Sequence, residues 1–206
     1  MSSEGPAIYD VQQSPAWESL DWNEPNLKSS APSIRLVFSV FIDWFNPWGN
    51  KIAGKKASIG LEALNCLNLP IQSRWKTTNT CIAGIIPGPR EPNNVTISHV
   101  LDPFMEQLLI LDKGTIISTH QYPKGRVVQV KILPLIADIV AAHKVAGFAS
   151  HSHTYFCALC YCTRKDVKQL RIGRLRKKDE TLAQALKWKD SKTSEEQDKI
   201  TKATGL

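Results

Sequence analysis

Ile34 to Ile42 (IRLVFSVFI) constrains this chain more than any other stretch. It is rich in β-branched and aromatic residues, the pattern of a strand buried on both faces. Such a strand cannot stand alone and needs sheet neighbours and covering layers. Asp43 ends the run, and Trp44 to Asn50 (WFNPWGN) carry turn chemistry. Ala57 to Leu64 (ASIGLEAL) predicts a second strand, returning as a hairpin partner. Cys81 to Ile86 (CIAGII), closed by Pro87-Gly88-Pro89, predicts a third. Pro92-Asn93-Asn94 opens a helix whose apolar positions Ile97, Val100, Leu101, Phe104, Leu108, Leu109 and Leu111 follow a helical period, with Pro103 in its first turns. Thr115 to Thr119 reads as a further strand, and Val127 to Ala137 (VVQVKILPLIA) as a strand with a proline interruption. Asp138 follows, then Ile139 to Ala146 as a short helix ended by Gly147. Three strands, a helix, further strands and then helices define an α/β domain with a mixed sheet and early antiparallel hairpins.

The 206 residues fit one domain of ordinary size with tails. Residues 1–33, rich in Ser, Pro, Glu and Asn, read as an extended or disordered lead-in, although Trp17 and Trp22 call for a surface to pack on. Residues 34–163 form the core, and residues 164–206 a basic, partly helical tail with a weak apolar stripe. No run of about 18 apolar residues exists, which argues against a membrane span, and the polar start carries no secretory pattern. Five cysteines, three of them within residues 157–162, argue against a disulfide scaffold and for reduced thiols or a metal.

The net charge is +7, unevenly spread: −4 over 1–33, +5 over 34–163 and +6 over 164–206. The densest basic run is Arg171, Arg174, Arg176, Lys177 and Lys178. A phosphate backbone rewards such clustering by counterion release; a solvated, mixed-charge helix face is the other reading. Lys51, Lys55 and Lys56 form a smaller patch, open to the same two readings. Trp44, Phe45 and Trp48 could stack on bases or pack in their loop.

Asp43 and Asp138 each directly follow an apolar strand. If the strands are neighbours, the two carboxylates can hold Mg²⁺ or Mn²⁺ and support phosphodiester chemistry. Each could instead be a turn or helix cap. His151, His153, Cys157, Cys160 and Cys162 pack five candidate metal ligands into one short stretch. A Cys-x-x-Cys knuckle with one further Cys or His suits Zn²⁺; small buried thiols and redox chemistry are the alternatives.

The stretch FSVFIDWFNPWGNKIAGK (Phe38 to Lys55) resembles the first-aspartate block of the Tnp2-type transposases of CACTA (En/Spm) transposons, in the version abundant in fungal genomes. LNCLNLP (Leu64 to Pro70), CIAGIIPGPREPN (Cys81 to Asn93) and LPLIADIVAAHKVAGFASHSHTYFCALC (Leu133 to Cys160) resemble further blocks of that family in the same order. The resemblance implies an RNase H-like mixed sheet with flanking helices, incomplete at the C-terminus. It implies DDE/D phosphodiester hydrolysis and strand transfer on DNA in the nucleus. Asp43 and Asp138 match the first two acids and would ligate Mg²⁺ or Mn²⁺. The third acid has candidates in Asp166, Asp179, Glu180, Glu195 and Glu196, none in a block that matches.

The expectation is therefore a truncated transposase core, inactive by itself, whose partners are DNA and either a second copy or the transposase domains it lacks. Lys51, Lys55, Lys56, Arg174, Arg176, Lys177 and Lys178 are its candidate DNA contacts. The rival expectation is a non-catalytic nucleic-acid-binding module or a zinc-stabilised interaction domain.

Overall fold

The computed structural model describes residues 7–25, 27–49, 57–93 and 96–206. Five strands, β1 (Ile34–Phe45), β2 (Ile59–Cys66), β3 (Thr80–Ile86), β4 (Thr115–Ile117) and β5 (Arg126–Ile136), form one sheet in the order β3-β2-β1-β5-β4. The helices are α1 (Pro15–Glu18), α2 (Ile71–Arg74), α3 (Thr96–Lys113), α4 (Ile139–Val145), α5 (Arg164–Lys168), α6 (Lys178–Asp190) and α7 (Ser194–Thr204). The chain divides into two compact units: Met1–Glu91 with His99–Ile136, and Pro92–Ser98 with Ala137–Leu206.

In the first unit β1 is central, as its composition demands. It runs antiparallel to β2 and parallel to β5, while β2 and β3 pair antiparallel. Val37, Ser39, Val40 and Ile42 are all buried, so both faces of β1 are covered. On one face Leu108 of α3 packs on Val128 and Val130, with Phe104, Leu111, Ile34, Leu36, Phe38 and Ile132 around it. This is an α/β fold with a mixed sheet, consistent with an RNase H-like arrangement: an antiparallel β1-β2-β3 meander with β5 added parallel to β1. β4 closes the other edge, antiparallel to β5. Pro103 lies deeper in α3 than its first turns, where its ring removes one intrahelical hydrogen bond.

Pro134 does not interrupt β5. Phe38 pairs with Ile132 but Val40 with Leu135, so Leu133 and Pro134 together face Ser39. The extra residue is a β-bulge, which lets a strand carry a proline that cannot donate to the ladder. Pairing then resumes and ends at Phe41 with Ile136.

The described part of the lead-in is bound to the sheet. Asp10 accepts two hydrogen bonds of 3.1 Å from the guanidinium of buried Arg74 in α2. Gln12 Nε2 donates to the Leu67 carbonyl at 2.7 Å, and Gln129 Nε2 to the Asn23 carbonyl at 2.8 Å. Trp22 lies under the cations of Arg35 and Lys131. Single polar anchors hold this segment, so no apolar period marks it in the sequence.

The second unit is held by caps and short ladders more than by an apolar core. Asp138 caps α4, Thr163 and Asp166 form a capping box on α5, and Thr193 and Glu196 form one on α7. Trp188 Nε1 of α6 donates to Thr201 Oγ1 of α7 at 3.1 Å. Leu159 to Tyr161 lie against Arg174 to Arg176 through Tyr161 N–H to Arg174 O and Arg176 N–H to Leu159 O, both 2.9 Å. A bridge joins Cys160 and Leu175. Among the described residues no helix is long and apolar enough to cross a membrane.

Candidate functional site

Asp43 lies inside β1 rather than at its end. The strand continues to Phe45 because β2 still pairs with it there, with Asp43 opposite Leu61. On the β5 side the ladder has already stopped, two residues earlier, at Phe41. Asp43 is half-buried, and its Oδ1 accepts the Trp44 N–H at 2.8 Å. Asp138 is exposed, two residues beyond Ile136, and its Oδ1 accepts the Ala141 N–H at 2.6 Å. The cap reading of Asp138 therefore describes one of its oxygens. For both aspartates, Oδ2 has no hydrogen-bond donor among the described residues.

The bulge sets the phase of these positions. Before it, β5 runs one residue short of the offset between Asp43 and Asp138; after it, the two aspartates stand equally far beyond the last pair. Paired without the bulge, the same residues would end the ladder one step out, with Leu135 opposite Phe41.

The candidate third acids have local work. Asp166 accepts from Thr163 N–H and Oγ1, which holds its carboxyl below the usual range. Glu180 forms a two-pronged pair with Arg174 at 2.7 and 2.8 Å, which lowers its carboxyl in the same way. Glu196 closes the α7 capping box, while Asp179 and Glu195 sit in the first turns of α6 and α7.

The basic run is likewise divided. Arg174 is taken by Glu180 and lies over the Tyr161 ring. Arg176 is folded inward: Nε donates to the Cys157 carbonyl at 3.0 Å, and the guanidinium lies over Phe148 and Tyr161. Arg171, Lys177 and Lys178 are exposed. Arg174 and Arg176 lie two positions apart and both meet the Tyr161 ring, but the Arg174 side chain stays 60 % exposed while Arg176 is partly buried. Lys51, Lys55 and Lys56 lie outside the described residues.

Of the five candidate zinc ligands, three meet. The Sγ atoms of Cys157, Cys160 and Cys162 all lie within 4.8 Å of one another, and no histidine nitrogen joins that group. His153 Nδ1 accepts the Tyr155 N–H at 3.2 Å. Burial works against the Cys160 thiolate, but hydrogen bonds from the Cys162 thiol and N–H, the Cys157 thiol and the Gly173 N–H outweigh it and lower the thiol. Burial and the neighbouring Cys160 push Cys162 up to about 11.

One residue escaped the sequence reading. Glu62 of β2 is 4 % exposed, Oε1 is buried with no partner, and burial raises its carboxyl above the usual range. It lines an open cavity of about 330 Å³ with Gly84, Val100, Phe104 and Gln107. Gly84 makes the room, since a Cβ there would stand 2.6 Å from Glu62 Oε2. The signal was a lone carboxylate in a mainly apolar strand.

The model of transposase family tnp2 matches residues 7–185, most of the chain, and the chain belongs to that family. No curated protein matches it.

Proposed function

We propose that this chain is the DNA-processing core of a CACTA-type transposase, in its fungal version, with Asp43 and Asp138 acting as one acidic pair. The supporting observation is the β1–β5 register: parallel neighbours, a bulge, and both aspartates two residues beyond the final pair. Each also keeps one carboxylate oxygen without a hydrogen-bond donor, which suits a hard cation that takes oxygen ligands. Mg²⁺ or Mn²⁺ held by Asp43 and Asp138 would supply an activated water and offset the charge on the leaving oxygen of a phosphodiester. The chain's own part is orientation. The Trp44 N–H fixes one oxygen of Asp43 and the Ala141 N–H one of Asp138, so each carboxylate presents its other edge. Lys177, Lys178 and Arg171 would meet DNA phosphates, and a chromosomal substrate implies work in the nucleus.

A second reading is favoured by the local engagement of Asp166, Glu180 and Glu196. With those acids occupied, the chain alone would bind DNA without cleaving it and would need an acid from a further segment or a second copy. Mn²⁺ titration and Mn²⁺-dependent nicking of supercoiled DNA, on wild type, Asp43→Asn and Asp138→Asn, test both. The first reading expects a Mn²⁺ site and nicking in the wild type and neither in the variants. A Mn²⁺ site lost in both variants, with no nicking by any chain, selects the second. Binding and nicking unchanged in both variants would refute the acidic pair.

A further inference from the structure

The thiol cluster is not used by the acidic pair and stands on its own geometry. We propose that Cys157, Cys160 and Cys162 form a Zn²⁺ site, with three thiolates on the ion and an exogenous ligand in the fourth position. A tetrahedral ion with Zn–S bonds of about 2.3 Å needs sulfurs about 3.8 Å apart. The three Sγ atoms already lie within 4.8 Å, so small side-chain rotations close the site.

The backbone is built for this. The Leu159 N–H donates to Cys157 Sγ at 3.4 Å, as expected where a tight Cys-x-x-Cys turn presents a thiolate. Cys160 is held against the 174–176 segment by the two 2.9 Å bonds of its neighbours Leu159 and Tyr161. Gly173 is the point of closest approach: a Cβ there would collide with the Cys162 amide nitrogen and the Tyr161 carbonyl.

Charge points the same way. Three thiolates on a divalent ion carry one net negative charge. Beside them the Arg176 guanidinium has both terminal nitrogens buried without a hydrogen-bond partner, while its Nε holds the Cys157 carbonyl. A buried cation wants a nearby anion, and the metallated cluster is one. Binding releases the thiol protons, and the ion cross-links the two ends of the 157–162 loop beside the segment that carries Arg176.

The test uses the full chain, purified under reducing conditions. Elemental analysis is expected to find one Zn²⁺ per chain. Co²⁺ exchanged for it should give a sulfur-to-metal charge-transfer band. Each of Cys157→Ser, Cys160→Ser and Cys162→Ser should lose the ion, and the His151→Ala/His153→Ala double variant should keep it. Gly173→Ala should weaken Zn²⁺ binding about 10–100-fold, as loss of ligand support commonly does. If the serine variants fail to fold, alkylation of the wild type decides: Zn²⁺ should protect these three thiols but not Cys81, and a chelator should remove the protection. A metal-free reduced chain with no Co²⁺ band, a metal lost with the histidines, copper bound in place of zinc, or alkylation indifferent to Zn²⁺ would overturn the proposal.

Discussion

Deleting Ala137 tests the proposed acidic pair directly. Asp138 stands two residues beyond the Phe41–Ile136 pair, as Asp43 does, and Ala137 is the residue between. Removing it leaves the β1–β5 ladder as it is and draws Asp138 one residue back toward Ile136. That displacement is about 3.3 Å, and it also turns the side chain to the opposite face. Carboxylate oxygens on Mg²⁺ sit about 2.0–2.1 Å from the ion, so the shift exceeds any tolerance of the coordination sphere. The fold has less to lose. The ladder ends before Ala137, and the core around Leu108, Val128 and Val130 lies earlier still. The deletion should therefore keep its circular dichroism spectrum while losing the Mn²⁺ site detected by titration. Deleting Pro134 instead removes only the bulge, leaves Leu135 on Val40 and Ile136 on Phe41, and should keep the site. An Ala137 deletion that binds Mn²⁺ like the wild type would refute the reasoning, as would the Pro134 deletion failing like it.

Other outcomes follow from the same structure. Glu62 is held above the ordinary carboxyl value of 4.5 by burial, so its contribution to stability is complete below that value and declines as pH rises through the folded one. Glu62→Gln should flatten that decline, gaining on the wild type in urea unfolding at pH 7 relative to pH 4; an unchanged pH profile would count against a buried carboxyl. Leu108→Ala should cost about 3 kcal/mol in denaturant unfolding, through lost burial and the cavity left on Val128 and Val130. Lys177→Ala with Lys178→Ala should reduce the salt slope of DNA binding by about 2, one phosphate contact each. Arg174→Ala should leave that slope unchanged, since Glu180 already holds the guanidinium.

Strands, helices and their order were legible because burial imposes period and composition locally. The Ile34 run predicted a strand covered on both faces, and Val37, Ser39, Val40 and Ile42 are buried. The family blocks carried the two aspartates together with Cys157 and Cys160. What no local pattern encodes is which groups meet across the chain. The lead-in looked unstructured because its anchors are single side chains, such as Asp10 on Arg74, whose partners lie far along the sequence. Arg174 and Arg176 read as DNA contacts in the sequence, which does not show that Glu180 pairs with the one and the Cys157 carbonyl accepts from the other.

The sequence alone determined the α/β order, the family and the residue types that can do chemistry, because those depend on what each short segment must bury. Tertiary structure alone decided that a bulge sets Leu133 and Pro134 together against Ser39, so that the β1–β5 ladder ends at Phe41 and Ile136. It also decided that three thiols gather without the neighbouring histidines, and that Glu62 is buried beside Gly84. Those outcomes rest on register and on approaches between distant segments, where one residue of offset changes which face a side chain occupies.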